Sequence, residues 1–254
     1  MVSIALRPRT ASEIVDAAFQ ILRAHYAQFV MCSALAYLPW LVVQLLIASD
    51  PAIVTRVGIG MTFALAIGVW LVFALMSAVL IVCASQAYLG DPVDVGVAVR
   101  TAIPRLPTVL LGAIARYTCM FLGVLFFVVG AIYVGARLFA VTPVIVLEGA
   151  GIGQAFKRSS FLSEGRKWHV LNTLGLVAII YWVIGIGVQI GALMLGSLMV
   201  QAIVTAIYTI LVYPVIAITE ALLYYDARIK SEGLDIQLMA GALDAAAPSE
   251  PAAG

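Results

Sequence analysis

The sequence predicts an all-α integral membrane protein, a six-helix transmembrane bundle with amphipathic interfacial helices on the cytoplasmic side. Three observations predict it. Of 254 residues, 64% are hydrophobic and 11% charged, against about 25% charged in an ordinary soluble domain. Four apolar blocks, 26–48, 57–90, 106–147 and 170–219, match or exceed the about 20 residues that cross a bilayer. Their Leu, Val, Ile and Ala runs are continuous, whereas a transmembrane β-barrel needs segments of about ten residues that alternate apolar and polar.

Taken in order, the first two blocks are single spans, the second long enough to tilt or protrude. Block 106–147 is about twice the length one span needs and is punctuated by Gly130, which predicts two spans joined by a tight turn there. Block 170–219 divides near Gly196-Ser197, giving spans five and six. The first 25 residues carry Arg7, Arg9, Glu13, Asp16 and Arg23 with no uninterrupted apolar core, so they do not read as a cleavable signal peptide. The first span is therefore expected to be retained.

Topology follows from the cations. With a cytoplasmic N-terminus, Arg7, Arg9, Arg23, Arg100, Arg105, Lys157, Arg158, Arg166, Lys167, Arg228 and Lys230 all lie inside, and only Arg56 lies in an external loop. Such asymmetry places both termini in the cytoplasm. The net charge of +1 and the collar-like spread of the basic residues exclude nucleic acid as a partner. Arg23, Arg100, Arg105, Lys157, Arg158, Arg166 and Lys167 are the expected contacts to lipid headgroups.

Residues 1–9 form an N-terminal cytoplasmic segment, 10–240 a single polytopic membrane domain, and 241–254 a tail too poor in bulky apolar residues to order itself. Within the domain, three segments that lead into a span look alike: "IVDAAFQILRAHYAQF" from Ile14, "VGVAVRTAIPRLPTV" from Val95 and "IGQAFKRSSFLSEGRKWHV" from Ile152. Thr10 and Glu13 have the spacing of a capping box, and Ile14, Ala18, Ile21 and Leu22 follow at helical spacing. Short basic amphipathic helices suit the headgroup layer, apolar side down and cations toward phosphates. One reading is a threefold repeat of interfacial helix plus hairpin, about 10–90, 91–150 and 151–232. The other is that any amphipathic linker between hairpins acquires Ala, an aromatic and an Arg.

Charges within the spans carry the functional question, because a charge at the bilayer centre costs at least about 2.5–3.5 kcal/mol and faces the bundle interior or snorkels. Arg116 and Arg137 fall within spans, and Glu220 ends a run of fifty residues, Val170–Thr219, without Asp, Glu, Lys or Arg. Arg137 and Glu148 are eleven residues apart, sharing one helix face about 16 Å apart, too far to pair. The economical arrangement sets Glu220 against Arg116 or Arg137, with the hydroxyls of Tyr213 and Tyr224 completing its hydrogen bonds. The arginine left over snorkels or faces an anionic ligand. Two readings stand: a pairing that fixes helix register, or a polar ligand or ion site within the bundle.

Toward the cytoplasmic end, Tyr224, Tyr225, Asp226 and Arg228 read as a headgroup-level anchor, with Asp226 and Lys230 spaced to pair along a helix. The alternative is a cap on a site shared with Glu148. His25 and His169 read as interfacial amphipaths. Pro39, Pro143 and Pro214 each predict a kink, compatible with a central cavity and equally with packing around a curved bundle. Gly187-x-x-x-Gly191 permits close helix contact. Cys32, Cys83 and Cys119 lie inside spans at no ligand spacing, so neither a disulfide nor a metal site is expected, and no cofactor.

No His-Glu-x-x-His, Gly-x-Ser-x-Gly or Cys-x-x-Cys occurs. Tyr225-Asp226 matches half of an intramembrane aspartyl protease signature, but the Gly-x-Gly-Asp that would supply the second carboxylate is missing. "GAGIG" at 149–153 lacks the Lys and Ser or Thr of a phosphate loop. An enzyme is not expected.

Two stretches carry a family resemblance: "VLEGAGIGQAFKRSSFLSEGRKWHVLNTL" (146–174) and "ALLYYDARIKSEGLDIQLMA" (221–240). They resemble bacterial membrane proteins grouped with the membrane domain of glycerophosphoryl diester phosphodiesterase. The elements are Glu148, Lys157-Arg158, Gly165-Arg166 with Trp168, Tyr225-Asp226-Ala227-Arg228, and Glu232-Gly233-Leu234-Asp235. The resemblance implies the same six-span layout and a bacterial cytoplasmic (inner) membrane. It implies no activity, since the chemistry there belongs to a separate soluble barrel that these residues do not include. The expected function is a non-catalytic multi-pass protein that contacts or organises lipid, with membrane lipids and another membrane protein as partners. The alternative is a transporter of a small anionic solute or lipid using Arg116, Arg137 and Glu220.

Overall fold

The computed structural model describes residues 9–50, 52–124, 127–234 and 236–237. The expected disordered tail, most of the N-terminal segment and Asp235 lie outside the described residues. The chain is an all-α membrane bundle, with six helical stretches long and apolar enough to cross a bilayer: Tyr26–Ser49, Gly60–Leu89, Val95–Val124, Val129–Glu148, Lys167–Met194 and Leu198–Glu232.

Helix α1 (Ala11–Ala24) starts on the capping box expected of it, Thr10 N–H donating to Glu13 Oε2 at 2.8 Å and Glu13 N–H to Thr10 Oγ1 at 3.4 Å. Helices α2 (Tyr26–Ser49) and α3 (Ala52–Leu89) form the first hairpin, and α3 is broken near its start by Gly58 at φ 70°. A short α4 (Val95–Ala102), capped by Asp94, passes through a 3-10 turn, Ile103–Arg105, into α5 (Leu106–Val124). Then come α6 (Phe127–Arg137), α7 (Val141–Pro143) with a π-helical extension Val144–Glu148, α8 (Ile152–Leu162), α9 (Lys167–Met194) and α10 (Leu198–Glu232). The order of one short helix followed by two long stretches thus occurs three times. By connectivity α1, α4, α8 and the end of α10 share one end of the bundle, the basic end.

Helix α10 is the axis around which α1, α2, α3, α8 and α9 pack. The short helices turn their apolar faces onto the bundle and not toward lipid: Ile14, Val15, Ala18, Ile21 and Leu22 of α1 are buried, as are Ala98 and Ala102 of α4 and Ala155 and Leu162 of α8. The expected apolar-down posture in the headgroup layer is corrected accordingly, since burial of α1 against α9 and α10, of α4 against α3, and of α8 against α5, α7 and α10 removes the same surface from water.

Two glycine expectations change. Gly130 lies inside α6 (Phe127–Arg137) and is not itself the turn in block 106–147. Gly130 serves close packing instead, its backbone lying 2.9 Å from where a Cβ on Gly123 would stand. Gly187 and Gly191 face open space, and the close contact on α9 is Gly185, where a Cβ would meet the Tyr208 hydroxyl at 2.9 Å. The break at Gly196-Ser197 matches expectation, with Gly196 at φ 67° and the Ser197 side chain capping α10.

The fourth span is not one regular helix. It breaks after Arg137, where serines of α8 take over the freed backbone groups: Ser159 Oγ accepts from Ala140 N–H at 3.0 Å and donates to the Arg137 carbonyl at 3.0 Å, and Ser163 Oγ donates to the same carbonyl at 3.4 Å. Leu138, Phe139, Ala140 and Val141 are all buried. Irregular backbone in a membrane protein is tolerated where protein buries and satisfies it. Far apart in sequence, Cys32 and Cys83 meet with Sγ atoms 3.2 Å apart as free thiols between α2 and α3.

Candidate functional site

Two polar clusters hang on α10. The first lies midway along the spans. Arg116 sits ten residues into α5, about 15 Å from its start, and its Nη1 stands 3.5 Å from Glu220 Oε1. The side chains are 21% and 13% exposed. The contact is an ion pair of loose geometry, because Arg116 Nε and Glu220 Oε1 are buried without a hydrogen-bonding partner. A buried polar atom so left costs about 1–3 kcal/mol. Beside the pair lies a cavity of about 430 Å³, within the range of small-molecule sites.

Helices α3, α5, α7, α9 and α10 wall this cavity. Ser77, Thr142 and Tyr213 add polar atoms, and Trp70, Tyr117 and Trp182 add aromatic faces at its lipid side, where the three are 41%, 45% and 66% exposed. Trp70 and Tyr117 stack edge to face at 4.8 Å between centroids, and Phe73 meets Tyr213 the same way at 5.4 Å. An arginine, a carboxylate and aromatic faces in one hollow suit a ligand carrying both signs of charge, since π-faces also attract cations.

Of the residues expected here, Arg116, Glu220 and Tyr213 come together. Arg137 does not join them. The break after it ends the regular helix on which its placement rested, and its Nε donates to Ser160 Oγ of α8 at 3.1 Å. Tyr224 does not reach Glu220 either. Its hydroxyl donates to Glu148 Oε1 at 2.7 Å.

That bond belongs to the second cluster, at the basic end, which is a closed ring. Arg158 Nε donates to both Glu148 oxygens at 3.1 Å, and its terminal nitrogens donate to Glu232. Arg228 Nε donates to Glu232 Oε2 at 3.0 Å, and Arg228 Nη1 reaches the Tyr224 hydroxyl at 3.3 Å. Two acids, two arginines and a tyrosine thereby tie the π-helical end of span four, α8 and α10 together. The hydrogen bonds to Glu232, more than those to Glu148, hold the Arg158 guanidinium above its usual pKa, so it stays charged.

Asp226 sits outside this ring, 2% exposed. It accepts from Lys230 Nζ at 2.6 Å and from the Arg9 backbone N–H at 2.8 Å, and His169 Nε2 lies 3.1 Å away. Lys230 Nζ also donates to the Arg9 carbonyl at 3.0 Å. The cluster thus fastens the chain entering α1, and His169 is part of it and not a bare interfacial amphipath. Tyr224, Tyr225 and Asp226 are buried, which corrects their reading as a headgroup-level anchor. Tyr225 instead shares a 2.5 Å hydrogen bond with Ser85 of α3.

The lipid-contact residues divide. Arg23, Arg100 and Lys157 are exposed. Arg105 is half-buried, with its guanidinium beside Gly149. Three are engaged by protein, contrary to expectation: Arg158 in the ring, Arg166 donating to the Ala227 and Lys230 carbonyls and to Ser231 Oγ at the end of α10, and Lys167 donating to the Tyr133 hydroxyl at 2.7 Å. Helix ends leave their last carbonyls open, so a cation reaching the Lys230 carbonyl and Ser231 Oγ has partners better placed than lipid. The sequence does not reveal the pairing of His169 with Asp226, the bridging role of Glu232, or the roles of Ser159, Ser160 and Ser163. The i,i+4 spacing of Ser159 and Ser163 was the available signal for a polar face on α8. Among the described residues no group of three or more His, Cys, Asp or Glu side chains is placed to hold a metal. Compared with known proteins, the chain matches no family model, no curated protein and no solved structure.

Proposed function

We propose that this chain is a non-catalytic, multi-pass protein of a bacterial cytoplasmic membrane, both termini inside, that takes the polar group of a membrane amphiphile into the cavity between α3, α5, α7, α9 and α10. The observation that carries the reading is the loose Arg116–Glu220 pair, with Arg116 Nε and Glu220 Oε1 buried and without hydrogen bonds beside a cavity of about 430 Å³. Polar groups inside a membrane are expensive and mark ligand sites more often than they stabilise. A phosphate adjoining an ammonium group suits one cation, one carboxylate and aromatic walls.

Exposed Arg23, Arg100 and Lys157 at the basic end supply headgroup contacts. The resemblance to the phosphodiesterase membrane domain adds no chemistry here, because none of the residues that carry it is among those lining the cavity. The test is native mass spectrometry of protein purified in mild detergent. Wild type is expected to retain a zwitterionic phospholipid, and Arg116→Gln/Glu220→Gln to lose it while eluting as the same monodisperse species. Wild type carrying no lipid, or a double variant that retains it equally, would overturn the reading.

A further inference from the structure

The cavity does not end at the ion pair. Hollows of about 430, 310 and 470 Å³ follow one another along α9 and α10, sharing Tyr181 and Trp182 at the first junction and Gln189 and Thr205 at the second. The last is flanked by Gln44, Gln189 and Gln201, at the end of the bundle opposite the basic end. On α10, Gln201, Thr205, Thr209, Tyr213 and Glu220 recur at intervals of four or seven residues and share one helix face. On α9, Tyr181, Gly185 and Gln189 do the same at intervals of four. From Gln201 to Glu220 is nineteen residues, about 29 Å at 1.5 Å per residue, close to the thickness of a hydrocarbon core.

The track is lined mostly by apolar groups, with polar side chains spaced along it. Thr205 Oγ1 donates to Gln189 Oε1 at 3.0 Å, and the Tyr208 hydroxyl donates to the Tyr181 carbonyl. Alongside them, Trp182, Ile186, Ile190 and Leu193 are 66%, 55%, 55% and 63% exposed, facing outward. Such a cross-section accommodates a headgroup against the polar side chains while the acyl chains stay in the bilayer. A soluble solute has no use for the apolar rim.

Resting on the reading of the cavity above, we infer that the α9–α10 track passes the headgroup of a zwitterionic phospholipid between the Arg116–Glu220 cavity and the far leaflet, so that the protein moves lipid across the membrane without covalent chemistry. Polar side chains at bilayer depth lower the cost of carrying a charged headgroup through hydrocarbon, and the spaced amides and hydroxyls along the track are neutral, so they release the headgroup as readily as they receive it.

The experiment is reconstitution of the full chain into phosphatidylethanolamine–phosphatidylglycerol vesicles containing a trace of acyl-chain-labelled fluorescent phosphatidylethanolamine, followed by a membrane-impermeant quencher. Wild type is expected to let the quencher consume the label of both leaflets, where protein-free vesicles lose only the outer leaflet's share. Gln189→Leu/Thr205→Val, checked for monodispersity, is expected to slow the inner-leaflet phase by about tenfold, as one broken polar step in the path does. Folded wild type that retains lipid in mass spectrometry yet quenches like empty vesicles overturns the track and leaves the cavity reading intact. Loss of lipid retention in wild type overturns the cavity reading itself. If the double variant fails to fold, Gln201→Leu, closer to the track's outer mouth, carries the same comparison, and an unchanged rate in a folded variant overturns the route.

Discussion

The two polar clusters on α10 use the same chemistry and end in opposite conditions. At the basic end, Glu148 receives Arg158 and Tyr224, and Glu232 receives Arg158 and Arg228, so each carboxylate meets at least two donors in a closed circuit. Twelve residues before Glu232 on the same helix, Glu220 has one arginine at 3.5 Å and an oxygen with no hydrogen bond. The difference teaches which cluster is scaffold and which is site. Satisfied networks rigidify, whereas an under-satisfied pair at membrane depth beside a hollow has capacity left for a ligand. Geometry, and not the mere presence of charge, separates the two.

The comparison breaks hardest at Asp226. Its carboxylate is almost fully buried and meets Lys230, His169 and the Arg9 backbone. Asp226→Ala strands Lys230 and frees the entry to α1. Removing one partner of a buried pair costs about 3–5 kcal/mol, so a large fall in the midpoint of unfolding in SDS–detergent mixtures is expected. An unchanged midpoint would mean the cluster does not fasten the bundle. Next in size is Arg158→Ala, which opens the ring on two sides. Its partners are 25% and 18% exposed, so water replaces part of what is lost and about 1–3 kcal/mol is expected. The same variant should leave lipid retention intact.

Arg116→Gln/Glu220→Gln is expected to do the reverse. Replacing both members of a poorly satisfied pair strands neither charge, so stability should move by no more than about 1 kcal/mol in either direction, while retention of lipid falls. An Arg116→Gln/Glu220→Gln protein as unstable as Asp226→Ala would make the pair a register-fixing element and would erase the distinction between the clusters.

What could be read from the sequence follows the range of the forces involved. The six spans were legible because hydropathy is local and a bilayer demands length, and the Thr10–Glu13 box because a cap is complete within four residues. Glu220 could be set against Arg116 or Arg137 on cost alone, and only the fold chooses Arg116. Arg137 was misplaced because a regular helix was assumed through residues 138–140, where serines 20 or so positions away make a break affordable. Gly130 looked like a turn because a glycine that makes room for a neighbouring helix and one that bends the chain are the same letter. His169 with Asp226, 57 residues apart, and Cys32 with Cys83, 51 apart, depend on tertiary packing that no local pattern encodes. Of the residues on which the expected family resemblance rests, Lys157 and Trp168 are exposed and Asp235 lies outside the described residues, whereas Glu148, Arg158, Asp226, Arg228 and Glu232 lie in the clusters at the basic end.

The smallest expected effect tests whether that end is static. Cys32 and Cys83 bring α2 and α3 together with Sγ atoms 3.2 Å apart, and bonding distance, about 2.05 Å, requires only a modest approach. A membrane-permeant oxidant should therefore join them, detected as the loss of two hydrogens in the intact mass and absent in Cys83→Ser. If the basic end is rigid scaffold, the new bond constrains what is already constrained, and both the unfolding midpoint under short treatment and the lipid retained should change little. Helix α3 also supplies Trp70, Phe73 and Ser77 to the cavity, so a cross-link that abolished retention would show α2 and α3 sliding as the cavity fills, and the division into a fixed end and a receptive centre would have to be given up.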